Sequence, residues 1–180
     1  DYSDGKITFV STGMEGNAVI AAKDQSGTIL WSWHIWCTDQ PAEHVYVNST
    51  GEYTVLDRNL GATRADRGNG DEWMEARGLA YQWGRKDPFT PHRKGYEMST
   101  YDYCAYEISN ERASIEESIQ NPSTLFGVHN SRWMEENANT RLWAPTQKTI
   151  YDPCPVGYEV AYSDVWRSFT KSENDEVYNP

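Results

Sequence analysis

Between Ala65 and Glu72 the chain reads Ala-Asp-Arg-Gly-Asn-Gly-Asp-Glu, so Asp66, Asn69, Asp71 and Glu72 gather hard oxygen donors into one short stretch. Calcium takes about six to eight oxygens of this kind, which makes the stretch a candidate calcium loop. It lacks the Asp-x-Asp-x-Asp-Gly spacing of an EF-hand. The competing reading is a solvated turn in which Asp71 caps the helix that follows. A second chemistry is open to aromatic rings beside polar loops, which can stack on the apolar faces of sugars. Trp73, Tyr96 and Trp133 are the rings nearest such loops. Tryptophan is highly buried on average, so a place in the core competes with a binding role for each indole.

Covalent catalysis finds little support. No Gly-x-Ser-x-Gly elbow occurs. His34, His44, His92 and His129 show neither an H-E-x-x-H motif nor i, i+4 spacing, so a catalytic zinc site is not indicated. Gly61-Ala-Thr and Gly68-Asn-Gly70 match no phosphate-cradling fingerprint. Cys104 or Cys154 with His92 or His129 would give a Cys/His pair only if the fold brought them together. Carboxylate pairs are so plentiful in an acidic chain that a glycosidase signature cannot be read from them. Cys37, Cys104 and Cys154 lie far apart without a C-x-x-C motif. Three thiols leave at least one free or paired outside the chain. In an oxidising compartment Cys104 with Cys154 is one pairing among several.

The 180 residues carry a formal net charge of -11, with a sequence pI near 4.7. That charge repels phosphate backbones and anionic membrane surfaces, so nucleic acid is not an expected partner. The apolar run of Thr28 to Trp36 is far short of the ~20 residues that span a bilayer as a helix, so direct membrane insertion is not expected either. Eight Trp and twelve Tyr in a chain of mean hydropathy -0.79 point to an aromatic rather than aliphatic core. The opening Asp1-Tyr-Ser-Asp has no signal-peptide pattern and reads as a mature or trimmed start.

The elements that must position these groups begin with Thr28 to Trp36, Thr-Ile-Leu-Trp-Ser-Trp-His-Ile-Trp. Period two puts Ile29, Trp31, Trp33 and Ile35 on one wholly apolar face, read as the wall of the core, and Leu30, Ser32, His34 and Trp36 on the other. Asp24-Gln-Ser-Gly27 should fold Ala18–Lys23 back onto it as a hairpin. Further strands are expected at Ile7–Val10, Val45–Val47 and Glu52–Leu60. Asn48-Ser-Thr50 fits the N-glycosylation pattern, which arises often by chance. Trp73, Ala76, Leu79, Ala80 and Trp83 mark a helix from Glu72 to Trp83, with Gly78 packed closely on a neighbour and Gly84 as its exit. Thr90 to Arg112 reads as a long irregular loop. Ser114-Ile-Glu-Glu117 is a capping box opening a short helix. Ser163 should cap a last helix carrying Val165, Trp166 and Phe169 inward, before a polar tail. Residues 1–50 form an N-terminal hairpin and strand region, and residues 51–180 the core of one overall domain.

Asp57-Arg-Asn-Leu60, Gly78-Leu-Ala-Tyr-Gln-Trp-Gly84 and Asp152-Pro-Cys-Pro-Val-Gly-Tyr158 leading into Ser163-Asp-Val-Trp166 together resemble the Fibrobacter succinogenes major paralogous domain. Gly16-Asn-Ala-Val-Ile-Ala and Ile29-Leu-Trp-Ser-Trp-His-Ile-Trp36 look like the Bacteroidetes surface proteins, fimbrillin-type pilus tip components among them, that carry this domain. The resemblance spans roughly Gly16 to Phe169. It implies an α+β, C-type-lectin-like fold with short helices and long irregular loops. It also implies export to the cell surface and a non-enzymatic role in adhesion or ligand binding. The implied partners are a glycan or host surface protein and other pilus subunits, and the parent protein would be outer-membrane-attached. Related sulfatase-modifying folds catalyse, but their cysteine chemistry is not recognisable in this chain. Ala161 stands where the family has Pro. The family also continues past the Ser-Asp-Val-Trp segment, so the fold is expected to be incomplete at the C-terminus and the aromatic strand short of partners.

Overall fold

The computed structural model describes residues 2–89, 107–128, 130, 132–135, 141–144, 147–161 and 163–166. It is a mixed α+β structure of small, chiefly antiparallel sheets and short helices. The strands Tyr2–Ser3 (β1) and Lys6–Ile7 (β2) form a small antiparallel pair. From Ser3 to Glu15 every residue is exposed, and the strand expected at Ile7–Val10 stops at Ile7. Gly16–Lys23 (β3) and Ile29–Cys37 (β4) form the main hairpin, with Val19 opposite His34 and Ala21 opposite Ser32. Its turn is built by Asp24, whose Oδ1 accepts from Ser26 N–H, Ser26 Oγ and Thr28 N–H, while Gly27 takes φ 91°.

Glu43–Asn48 (β5) pairs with Gly51–Leu56 (β6) across a two-residue turn. The Asn48 carboxamide organises that turn. Its oxygen accepts from Thr50 N–H, Thr50 Oγ1 and Gly51 N–H, and its Nδ2 donates to the carbonyls of Asp164 and Val165. The glycosylation-like triplet is thus a latch between the hairpin tip and the 3-10 turn Ser163–Trp166. A division of the chain between residues 50 and 51 falls inside this hairpin's turn. Among the described residues the expected last helix is that turn; Val165 is buried, Trp166 is exposed, and Phe169 lies outside the described residues.

The helix expected over residues 72–83 is cut to Trp73–Arg77 (α1), after a 3-10 turn at Gly70–Glu72. Its N-cap residue is Glu72, with no side-chain capping bond, so Asp71 does not hold the cap position. Gly78 ends the helix at φ 72°, ψ -158°, a region essentially reserved for glycine. A Cβ on Gly78 would sit 2.5 Å from the Leu60 carbonyl oxygen, and Leu79 N–H donates to that same carbonyl. Ala80–Tyr81 (β7) then pairs with Pro88–Phe89 (β8). Glu107–Ile108 (β9) runs parallel to Thr124–Leu125 (β10), and Ile115–Gln120 (α2) carries the expected capping box of Ser114 and Glu117. Among the described residues each sheet has two strands.

None of the fully buried apolar residues of the core comes from the tryptophan-rich strand. Ala113, Trp133, Met134 and Leu142 form that core, with Ile115, Phe126 and Tyr151 packed around them. Helix α2 lies against β4. The expectation that Ile29, Trp31, Trp33 and Ile35 wall the core is met only in part: Ile29, Trp31 and Ile35 are half-buried and Trp31 meets Tyr151 at a centroid distance of 6.2 Å, but Trp33 is 37% exposed, whereas Ser32, on the opposite face, is 1% exposed. The physical reason is polar. Ser32, His34 and Trp36 each meet a hydrogen-bond partner on the side that faces the rest of the molecule, and buried polar groups require such partners.

Candidate functional site

Among the described residues, the densest convergence of chemistry-bearing side chains lies where β4 meets the turn between β7 and β8. Lys86 Nζ donates to the Ser32 carbonyl at 3.0 Å and to Asp87 Oδ1 and Oδ2 at 2.9 and 2.8 Å, and it touches Ser32 Oγ at 2.5 Å. Ser32 Oγ donates to Asp87 Oδ1 at 2.6 Å. The ammonium also lies 4.5 Å from the centroid of Trp31. Burial holds the Lys86 ammonium below its ordinary pKa, opposed by Asp87. Beside this cluster, His34 Nδ1 meets Tyr81 Oη at 3.0 Å and His34 Nε2 meets Asn17 Oδ1 at 2.9 Å. Burial lowers the His34 pKa, with Asp87 pulling the other way, and burial raises that of Tyr81.

These groups do not compose a nucleophilic relay. Ser32 is spent on Asp87 rather than on His34, and it is shut off from solvent. Cys154 is a free, half-buried thiol whose pKa is pushed up to about 12 by burial and then by Asp152. It stays protonated at neutral pH, the opposite of an activated cysteine. Cys37 is also a free thiol, 3.1 Å from Ser11 Oγ. Cys104, His92 and His129 lie outside the described residues.

The candidate calcium loop turns its carboxylates onto a cation already present. Arg64 reaches Asp66 at 2.7 Å, Glu72 at 3.1 Å and Glu75 at 3.6 Å, and Glu72 Oε2 also accepts from Asn69 N–H. The Asp66 bond is the main reason the Arg64 guanidinium is held above its usual pKa. The Asp71 side chain lies outside the described part. Among the described residues no group of three or more His, Cys, Asp or Glu is arranged to hold a metal.

The three aromatic candidates have different fates. Tyr96 lies outside the described residues. Trp133 is 5% exposed, and its Nε1 donates to the Trp83 carbonyl at 2.6 Å. It is therefore a core residue with no ring face to offer, a correction to its reading as a stacking residue. Trp73 is exposed, with the Arg77 guanidinium 5.6 Å from its centroid. The ring that sequence reasoning missed is Trp83, 49% exposed, with Trp143 at a centroid distance of 6.4 Å and an interplanar angle of 60°. The Trp83 backbone is held by its carbonyl, which accepts from Trp133 Nε1, and Trp143 Nε1 donates to the Tyr151 carbonyl at 2.9 Å. The available clue was the Gly78 and Gly84 pair. Read as breakers, they take Trp83 off the helix and place it in a loop.

No family model, curated protein or solved structure matches this chain.

Close to Trp83 in the chain lies a buried cation. Arg85 is 2% exposed, and its guanidinium donates to the carbonyls of Ser118, Asn121 and Thr124 and to Gln82 Oε1. Phe89, Phe126 and Trp133 surround it at 5.1 to 5.7 Å. Two of the acceptors lie at the C-terminal end of α2, where the helix dipole favours positive charge. Arg85 thereby ties the loop after Trp83 to the core.

Proposed function

We propose that this chain is a non-enzymatic cell-surface module for adhesion or ligand binding, of C-type-lectin-like fold, with a glycan as its ligand class. In this reading it belongs to an exported, outer-membrane-attached or fimbrial protein and meets other pilus subunits at the cell surface. The carrying observation is the half-exposed Trp83 beside Trp143: the Trp83 backbone carbonyl accepts from the Trp133 indole in the core, and the Trp143 indole donates to the Tyr151 carbonyl. A preorganised aromatic surface of this kind loses little side-chain freedom when a sugar ring stacks on it. The titratable groups that do converge are buried and bonded to one another, which suits a scaffold better than a reaction centre. Among the described residues no helix is long and apolar enough to cross a membrane.

A glycan array probed with and without calcium tests the proposal. Binding that is lost in Trp83→Ala supports it; binding that requires calcium would bring the loop of Asp66, Asn69, Asp71 and Glu72 into the site. Absence of binding in both conditions sinks the glycan reading and favours a structural assembly domain. That second reading has its own support in the exposed apolar residues Val19 and Leu30 on the main hairpin and Val45 and Val47 on β5.

A further inference from the structure

The β3–β4 hairpin is fastened to the rest of the molecule by a few polar bonds, and one of them passes through an ionisable ring. Asn17 Nδ2 donates to the Gly61 carbonyl at 2.8 Å, so the Asn17 Oδ1 facing His34 is an acceptor. His34 Nε2 must then carry the proton, and neutral His34 Nδ1 accepts from the Tyr81 hydroxyl. A chain of bonds therefore runs from β7 through β4 and β3 to the loop at Gly61. Each member has its role fixed by the next.

We propose that His34 is a pH-sensitive clasp that holds the β3–β4 hairpin on β7 at neutral pH and loosens it on acidification. A second proton on the ring converts Nδ1 from acceptor to donor. The Tyr81 hydroxyl must then turn its own proton away from the bond it makes at neutral pH, inside a setting where an unsatisfied polar group is costly. The charged or titratable groups facing the ring are Asp87 from the turn before β8, itself paired with Lys86, and Tyr81 from β7, with Cys154 beside Tyr81; Asn17 from β3 is neutral. Burial disfavours the imidazolium, and Asp87 only partly offsets it. A histidine whose folded pKa lies below its unfolded value contributes stability that is complete above about pH 6.5 and is lost as pH falls through the folded value.

Hydrogen exchange on the full chain tests this, with rates corrected for their intrinsic pH dependence. The amides of residues 16–37 should open several-fold more often at about pH 5 than at about pH 7.5. His34→Gln, which can still donate to Asn17 and accept from Tyr81, should flatten that response, and His44→Gln should leave it intact. A hairpin whose protection is the same at both pH values, or which responds equally in His34→Gln, overturns the proposal. Should His34→Gln fail to fold, NMR titration of the His34 ring in the unaltered chain and in Tyr81→Phe decides. A midpoint below the ordinary value that rises in Tyr81→Phe supports the clasp, and a midpoint that Tyr81→Phe leaves unchanged contradicts it.

Discussion

The β3–β4 hairpin and the block around Arg85 are held by different physics. The hairpin leaves Trp33 exposed on one face, where Trp31 nevertheless meets Tyr151, and docks through single polar bonds on the other: Ser32 to Asp87, His34 to Tyr81, Trp36 Nε1 to the Ala62 carbonyl. The Arg85 block surrounds one guanidinium with backbone carbonyls and aromatic faces, and continues into the core of Trp133, Met134 and Leu142. Aromatic content alone therefore does not locate a core. Three of the eight tryptophans sit on β4, yet the close-packed interior forms where a helix end, a buried cation and Trp133 satisfy one another.

The contrast can be broken experimentally. Arg85→Ala strips the carbonyls of Ser118, Asn121 and Thr124 of a charged donor and opens a cavity among three rings. The expected loss is on the order of 4 kcal/mol, a large share of the stability of an ordinary domain. Chemical denaturation checks it, and a loss below about 1 kcal/mol would show that the block does not depend on the cation. Gly78→Ala places a Cβ against the Leu60 carbonyl in a backbone region that alanine avoids, with an expected cost of about 2 to 3 kcal/mol. Ser32→Ala removes one hydroxyl but leaves Lys86 and Asp87 paired, so about 1 to 2 kcal/mol should be lost. Arg64→Gln comes last. Its partners are solvent-exposed carboxylates, and the thermal midpoint should move by no more than about 2 °C. Should calcium then raise that midpoint only in the Arg64→Gln chain, the guanidinium has been occupying a cation position.

Local rules made parts of this structure legible in the sequence. The β3–β4 hairpin follows from its Asp24-Gln-Ser-Gly27 turn, and α2 from the Ser114–Glu117 capping box, because both depend on neighbours in the chain. The sequence pattern overstates the helix after Gly70, because Trp73, Ala76, Leu79, Ala80 and Trp83 keep helical spacing past Gly78. What stops it is the Leu60 carbonyl, which comes from elsewhere in the fold. The candidate site was less legible. Arg85 binds carbonyl oxygens, which leave no mark in a sequence, and the inward face of β4 was misjudged because Ser32 and His34 find partners only once Lys86, Asp87 and Tyr81 arrive. The segments that carried the family resemblance nevertheless have recognisable structural tasks. Arg58 clamps Asp39 and Asp57, and Asn59 Nδ2 donates to the Arg77 carbonyl at the end of α1. Asp152 gathers Lys148 and the N–H groups of Cys154 and Val160. Burial raises the Asp152 pKa, but those bonds outweigh it and hold the carboxyl below its usual range.

The binding proposal rests on Trp83 being a ring available to a ligand while Trp133, buried in the core, is not. NMR of the indole N–H resonances, followed during titration with neutral oligosaccharides, tests this most directly. The account predicts that the Trp83 and Trp143 resonances move with a saturable profile while that of Trp133 stays in place. Saturable binding that perturbs neither Trp83 nor Trp143, or no indole response to any glycan, would contradict it.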